Sequence, residues 1–531
     1  MSIKLLDCTL REAPIKGLYF KEQYIQNFIN SLEKAGLDII ECGFLKDDEY
    51  VLGSTIFNRV EQIEPYLKDK KKNTLYVALL DYGRYELKNL SNFNAKSIDG
   101  IRICFKKHQK DEVFAYAKAI QDKGYKVFLQ HIDTLDYTDV EIIEFIEKVN
   151  ELRPYSYSIV DTFGSMYADD VLHLYSLIDR HLSKDIILGF HAHNNLLLSV
   201  ANAQLFTTLS YATRDICIDG SILGCARGAG NIHTELIANF LNKKFQKTYD
   251  LDVLLDICDT LMPKIQKLCS WGYNIPYFLA GIHSSHVFNI NHLLRRHNIH
   301  SKDLREIIAK LDERQKKAYD YALLERLYVE HFDKKIDDSL ALDRLRNIIK
   351  DKKILFLLPG ASLNNCQDKI KEFMAKNKDY ISISLNHYNE NFTPTLLFFS
   401  QSKRFELFEN LSLKNPPLVV LTSNIKTNPK QNELILNYSP LIKYGYINLD
   451  VSVILALRLF LREGVRTFAF AGFDGLSKGK NNYFSEDLSI NLDDEDLELA
   501  NKEIKEMLQD MKKEYDFESL FLTPSIYEDF L

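Results

Sequence analysis

The sequence predicts an α/β protein in two parts: a (β/α)8 TIM barrel with a helical appendage, followed by a Rossmann-like α/β domain. Three observations carry that expectation. The chain has 531 residues, more than one ordinary hydrophobic core accommodates. From its start to about residue 245, short apolar runs alternate with amphipathic stretches of helical period, eight times over. The alternation resumes at Lys352, after a stretch (246–345) without a convincing strand pattern.

The first eight strands are expected at Lys4–Asp7, Asp38–Phe44, Thr74–Leu80, Gly100–Phe105, Lys126–His131, Tyr157–Asp161, Ile186–His191 and Asp215–Asp219. Most are too apolar to be half-exposed, as befits parallel strands covered on both faces. Helical spacing marks Glu22–Ala35, Glu112–Asp122, Asp139–Leu152 and Ala168–Leu182 between them. Eight such units favour a closed barrel over the alternative, a doubly wound open sheet. Leu251–Cys269 and Ser301–Tyr321 read as helices of an appendage, and Asp333–Asp338 as the approach to a linker. In the second part, strands are expected at Ile354–Leu358, Tyr380–Leu385, Thr395–Phe399, Pro417–Thr422 and Arg466–Ala471, with a helix over about Asp450–Glu463. The expected boundaries are 1–290 for the barrel, 291–345 for the appendage and linker, and 351–531 for the Rossmann-like domain.

Composition excludes several classes. With 46% hydrophobic and 27% charged residues, and only 12 Pro and 21 Gly, the chain carries no signature of long disorder. A net charge of −7 is mild for this length and gives no reason to expect nucleic acid or an anionic membrane as partner, because both reward basic surfaces. No apolar run approaches the roughly 20 residues of a membrane span, and the start lacks a signal region. A cytoplasmic protein with a small-molecule substrate is expected, without nucleic-acid or membrane partners and as a homo-oligomer. The 8 cysteines form no Cys-x-x-Cys pair and read as buried thiols.

Barrels of this kind place chemistry at the C-terminal ends of their strands. Those ends read Thr9-Leu10-Arg11-Glu12, Glu41-Cys42-Gly43-Phe44, Asp161-Thr162-Phe163-Gly164 and His191-Ala192-His193-Asn194-Asn195. His191 and His193 alternate on an extended segment, so both can point to one side. Two imidazoles and a carboxylate suit Zn²⁺, Mn²⁺ or Fe²⁺ with positions left open. Glu12 is the natural carboxylate, because strands one and seven are near neighbours around the ring. Arg11 beside it is suited to an enolate or carboxylate oxygen, or else to an ion pair with Glu12 or Glu41. Glu41 and Asp161 are candidates for binding substrate or orienting ligands. Past strand eight, Gly224-Cys225-Ala226-Arg227-Gly228-Ala229-Gly230-Asn231 is either backbone open to a ligand or a plain tight turn.

Asp7-Cys8-Thr9-Leu10-Arg11-Glu12, Gly189-Phe190-His191-Ala192-His193-Asn194-Asn195 and Gly228-Ala229-Gly230-Asn231 resemble the DRE-TIM metallolyase superfamily. That group includes 3-hydroxy-3-methylglutaryl-CoA lyase, isopropylmalate and homocitrate synthases, and 4-hydroxy-2-oxovalerate aldolase. The resemblance is closest to the aldolase branch, including forms encoded among bacterial surface-polysaccharide genes, and covers roughly residues 1–290. It implies a divalent metal held by Glu12, His191 and His193 and approached by Asn231. Mn²⁺ is the first expectation, with Mg²⁺, Co²⁺ or Zn²⁺ as alternatives. The resemblance further implies cleavage of a 4-hydroxy-2-oxo acid through a metal-bound pyruvate enolate steadied by Arg11, with a role in surface-glycan biosynthesis. Two positions depart from the aldolases. Ile15 stands where they carry a histidine active in proton transfer, and His283, in Ala280-Gly281-Ile282-His283-Ser284-Ser285, stands at their tyrosine. His283 is therefore the candidate acid or base. Tyr277, His286 and, at the end of strand five, His131 are further candidates near the substrate. Rival readings are an acyl-CoA-dependent condensing synthase, and a catalytically silent barrel in a sugar- or nucleotide-binding protein.

In the second part, Leu358-Pro359-Gly360-Ala361-Ser362-Leu363 follows a strand and opens a helix, a place where phosphate can bind. With Ser384-Leu385-Asn386 and Ala471-Gly472-Phe473-Asp474-Gly475 it resembles sialyltransferase-like and motility-accessory-factor-like domains. That implies phosphate or nucleotide binding by Gly360, Ser362, Asn386 and Asp474. A tight strand–helix turn in a scaffold is the alternative.

Overall fold

Eight strands of the first unit pair in parallel in chain order: β1 (Ile3–Asp7), β2 (Ile39–Leu45), β3 (Leu75–Asp81), β4 (Gly100–Phe105), β5 (Lys126–His131), β6 (Ser156–Asp161), β7 (Ile187–Ala192) and β8 (Ile216–Gly220). Pairing of β1 with both β8 and β2 closes the ring, so the sheet is a barrel and not open. The computed structural model describes residues 2–13, 20–297, 299–411, 413, 415–428, 430–479, 481–489 and 494–531. The chain divides into two compact units, Met1–Val287 and Phe288–Leu531. No helix among the described residues is long and apolar enough to cross a membrane, and all eight cysteines are free.

Alternation along the strands sorts the barrel's side chains. Leu6, Ile39, Val77, Phe128, Ile187 and Cys217, one each from six strands, pack together inside the ring. Their neighbours of opposite parity, such as Leu5, Ile40 and Ala78, join the core beneath the helices. Two residues further along, the inward positions turn polar: Glu41, Arg102, Gln130 and Asp219, all buried. Close packing inside demands glycine at Gly189, where a Cβ would lie 2.2 Å from Ser158 Oγ.

The surrounding helices follow their capping signals. Thr138 accepts a bond from the Glu141 amide at 3.3 Å and donates its own to the Glu141 carboxylate at 2.9 Å. That box opens the helix Asp139–Leu152, which buries Ile142, Phe145, Ile146 and Val149 at helical spacing. Two expected long helices are interrupted. Leu251–Cys269 becomes Leu251–Thr260 and Met262–Gln266, with Pro263 in the first turn of the second piece. Ser301–Tyr321 stops at Ile308, and Asp312 caps a new short helix by accepting from Gln315 N at 2.8 Å.

The second unit holds a wholly parallel sheet of β9 (Lys353–Leu357), β10 (Tyr380–Leu385), β11 (Leu396–Phe399), β12 (Leu418–Thr422), β13 (Glu433–Leu436), β14 (Thr467–Ala471) and β15 (Glu518–Phe521). Its order is β13-β12-β11-β10-β9-β14-β15. The two edge strands, β13 and β15, were not expected from sequence. The helices from Phe288 to Ile349 group with this unit.

One buried cluster joins those helices to Asp450 around His297. His297 Nε2 lies 2.8 Å from Glu325 Oε2 and its Nδ1 3.2 Å from Asp450 Oδ1. Tyr328 stacks on the ring and donates its hydroxyl to Asp450, while His292 meets the other Glu325 oxygen. Burial disfavours the imidazolium, but Asp450 and Glu325 outweigh it and raise the His297 pKa from 6.5 to about 10. A raised histidine pKa contributes stability that is full below the unfolded value and is lost as pH rises through the folded one. Thermal stability of this unit is therefore expected to fall between pH 6.5 and about 10, with a smaller slope in His297→Gln. An unchanged slope in that variant would refute the assignment.

Candidate active site

The C-terminal end of β1 runs into a single helical turn, Thr9–Glu12. Asp7 Oδ1 accepts from the Thr9 amide at 3.0 Å, its Oδ2 from Thr234 Oγ1 at 2.6 Å, and Thr9 Oγ1 accepts from Ile222 N at 2.8 Å. These bonds fasten the turn to the loop after β8 and deliver Arg11 and Glu12 to the barrel mouth.

Glu12, His191 and His193 converge there, all buried, with ligand-capable atoms within 4.8 Å of one another. The imidazoles stand nearly perpendicular, at 87°, with centroids 5.5 Å apart. His193 is anchored at both faces of its backbone: its amide donates to Asp161 O at 3.1 Å, and it forms a bridge with Asn231. The glycine-rich segment thus works as a strand-like cover for the end of β7. Its shape is specific at Gly228, left-handed at φ 66°, where a Cβ would lie 2.8 Å from Asn195 Oδ1. That same oxygen accepts from Ala229 N at 3.0 Å while Asn195 Nδ2 donates to Phe163 O at 2.9 Å, joining the loops after β6, β7 and β8.

A buried chain of charges supports the cluster. Arg11 donates to Glu12 and, at 2.9 Å, to Glu41. Arg102 bonds the other Glu41 oxygen at 2.9 Å and also Asp219, and Asp219 Oδ2 lies 3.2 Å from His191 Nδ1. Within this chain of bonded groups, three carboxylates face two guanidiniums, an excess of one negative charge that a cation would balance. Burial raises the Glu12 carboxyl, but Arg11, His193, Arg227 and His191 outweigh it and hold it down to about 2. Burial, then the charge of His191, lowers His193 to about 3, leaving a neutral imidazole. Asn231 donates to Glu12 Oε1 at 3.1 Å, while its buried Oδ1 has no partner. An anionic carboxylate, two imidazoles and an open carboxamide oxygen are the donor set of a divalent metal, and these residues fit one.

The cluster opens into a cavity of about 420 Å³, whose lining includes Arg11, Asp81, Gln130, Thr162 and Arg227. Arg11, Glu12, Glu41, His191, His193 and Asn231 are therefore brought together as expected partners. His131 and Asp161 are not. Strand parity sends Gln130 into the cavity and His131 outward, where it bonds Tyr157 at 2.6 Å among the rings of Phe105, Tyr137 and Phe145. Burial lowers its pKa to about 3. Asp161 likewise turns away and accepts from Ser165 N at 2.8 Å and Met166 N at 3.1 Å, ordering the loop.

Tyr277 lies in the helix Ile275–Ile282 and His283 at its C-terminal cap. Neither is among the cavity-lining residues. That helix packs on the loop after β7, where a Gly281 Cβ would lie 3.2 Å from Asn195 Cβ. Burial, then Arg227 and Lys106, lowers His286 to about 4. Ile15 lies outside the described residues. In the second unit, Gly360, Asn386 and Asp474 border a separate cavity, but the expected phosphate turn is closed. Asp474 accepts from the Ser362 amide at 2.8 Å and from its hydroxyl, so Ser362 has no amide to offer a phosphate.

Sequence reading passed over Arg102, Asp219 and Arg227. The first two carry a usable signal, a charge inside the apolar runs Ile101-Arg102-Ile103 and Cys217-Ile218-Asp219. Arg227 sits in the glycine-rich loop with nothing local to single it out.

A family model described as HMGL-like matches residues 2–261. The 4-hydroxy-2-oxovalerate aldolase of Thermomicrobium roseum is 27% identical over 333 residues, covering 59% of this chain and 87% of the relative. That of Bacillus cereus is 24% identical over 328 residues, covering 59% and 91%. A crystal structure of the HMG-CoA lyase from Brucella melitensis is 16% identical with a TM-score of 0.40, covering 50% of this chain and 99% of that one. Residues 2–261 of this chain thus match the HMGL-like family model, and 4-hydroxy-2-oxovalerate aldolases are among the proteins it is similar to.

Proposed function

We propose that the barrel unit is a divalent-metal-dependent aldolase that cleaves a 4-hydroxy-2-oxo acid to pyruvate and an aldehyde. The observation that carries this reading is the buried Glu12–His191–His193 cluster with Arg11 beside it in one cavity. Mn²⁺ is the metal we assign, in keeping with mixed carboxylate, imidazole and carboxamide donors. When bound, the ion would act as a Lewis acid on the 2-oxo carbonyl and orient the substrate.

The protein's own groups account for the rest. Arg11, held by Glu12 and Glu41, is fixed in place to receive the carboxylate and the negative charge developing on the 2-oxygen. Arg227, exposed on the rim, attracts the anionic substrate. A base takes the proton of the 4-hydroxyl, the C3–C4 bond breaks, its electron pair forms the enolate, and a proton returned to C3 completes pyruvate. We assign His283 as that base, on the strength of its place at the end of the helix packed over the loop after β7.

The test is incubation of 4-hydroxy-2-oxo acids with the protein and Mn²⁺, coupled to pyruvate detection, with exchange of pyruvate methyl protons into deuterated water alongside. Pyruvate release and exchange are expected. Neither from any substrate would overturn the proposal, and thiol release from acetyl-CoA would transfer the site to the condensing reaction. His283→Ala should lower turnover by roughly 10²–10⁴-fold without changing metal content. Unaltered turnover in that variant would remove His283 from the reaction.

A further inference from the structure

A cavity of about 200 Å³ opens in the second unit, bordered by residues just past the C-terminal ends of β9, β10 and β14. β9 pairs with β10 on one side and β14 on the other, so the chain runs outward in opposite directions from this point. Open parallel sheets bind ligands in the crevice at such a switch point.

The turn after β9 is not what would hold an anion there. Besides the closure of Ser362 by Asp474, a Cβ on Gly360 would lie 2.3 Å from Gly472 O and 2.7 Å from Asp474 Cγ. Gly360 serves the packing of two loops, and the Asp474 carboxylate would repel a phosphate. Asn386 is equally committed, left-handed at φ 56° with its amide group bonded to Ser400 and Ser452.

Three arginines, Arg295, Arg296 and Arg404, line the cavity against two carboxylates, of which Asp450 is held by His297 and Tyr328 and Asp474 by Ser362. Arg404 is only 5% exposed and has no carboxylate partner among the described residues. Its guanidinium donates to the carbonyls of Leu488 and, at 3.5 Å, Asp487, and lies 5.5 Å from the Tyr483 ring centre. A buried arginine without a counter-ion is costly and rare unless something anionic completes it. Its field is felt next door: His387 is buried with neither ring nitrogen bonded, and burial, then Arg404, lowers its pKa to about 3. Arg296 is a second cation on the lining. It gives Nη2 to Asp496 at 2.9 Å and leaves Nη1 buried without a partner. Phe473, Tyr483 and Tyr527 contribute aromatic surface, with Tyr483 held by a backbone bridge to Gly360.

We propose that this cavity binds a phosphorylated, ring-bearing ligand of the nucleotide class, with its phosphates on Arg404 and Arg296 and its ring against the aromatic wall. Two guanidiniums suit a group carrying more than one negative charge. A dry cavity of roughly 150 Å³ holds a benzene ring, so this space admits a ring and leaves the remainder of the ligand in the crevice mouth.

Calorimetric titration of the full-length protein with UDP, ADP and inorganic pyrophosphate tests the site. A nucleoside diphosphate is expected to bind, and pyrophosphate more weakly. Arg404→Met and Arg296→Gln should each weaken the nucleotide by about tenfold or more. No heat from any probe at millimolar concentration, or equal affinity in both variants and the parent, would overturn the proposal. Circular dichroism checks that each variant is folded. Should Arg404→Met fail to fold, Arg296→Gln decides, because its side chain lies nearer the surface.

Discussion

Glu12→Gln is expected to abolish metal retention and turnover together, lowering kcat/KM by roughly three orders of magnitude or more. Glutamine keeps the size of Glu12 and its reach toward Asn231, so the change isolates charge. The site's excess negative charge disappears with it, leaving Glu41 and Asp219 already matched by Arg11 and Arg102. The cation that the cluster is built to balance then has nothing to balance it. His191→Ala should do the same by removing a donor, and Glu12→Asp should retain metal at reduced affinity. Asp219→Asn removes the carboxylate behind His191, which also pairs with Arg102, and should cost about 10–100-fold in metal affinity. Elemental analysis of purified variants, alongside pyruvate release, checks all four. Unchanged metal content in Glu12→Gln and His191→Ala would eliminate this cluster as the metal site, whatever happened to activity.

The parts legible in the sequence are those where local pattern and tertiary environment agree. Apolar runs became strands because both faces are covered, and His191-Ala192-His193 kept its alternation because the strand continues into the bridge with Asn231. Misreadings arose where a residue's position along a strand was used without its parity. His131 and Asp161 stand at strand ends, but the inward residues there are Gln130, Val160 and Thr162. Counting by twos from Phe128 or from Ser158 would have exposed this. The edge strands escaped because edges bury little: β13 alternates partly and fully buried residues, and β15 alternates exposed and partly exposed ones. The Gly360–Ser362 turn looked like an anion site because its local geometry is right. Only the fold reveals that Asp474, more than a hundred positions away, already occupies it.

Arg102→Met should be the most destabilising single change in the barrel. Arg102 is 1% exposed and joins Glu41 to Asp219 across the ring's interior. Methionine fills much of the space but leaves both carboxylates buried with one partner fewer, a situation that costs about 3–5 kcal/mol. Loss of that size should lower the melting temperature of the barrel by roughly 10 °C. The effect has a pH signature. Burial raises the Asp219 carboxyl, but Arg102 and His191 outweigh it and hold it below its usual 3.8. A depressed carboxyl pKa contributes stability present above the unfolded value and lost as pH falls through the folded one. Without Arg102 the carboxyl rises instead, so the deficit of the variant should be greatest at neutral and alkaline pH and shrink toward acid. Adding Glu41→Gln and Asp219→Asn to Arg102→Met removes the uncompensated charges and should recover most of the stability while leaving the metal site crippled. If Arg102→Met melts like the parent at neutral pH, or if the triple variant is no more stable than the single one, the charge chain is not what holds the barrel's interior. In the expected case Arg11, Glu41, Arg102 and Asp219, which carry stability, also set the charge at Glu12 and the orientation of His191. A barrel optimised for stability alone would fill that layer with hydrophobic residues, and it would have no means of presenting a carboxylate, two imidazoles and a guanidinium to one cavity.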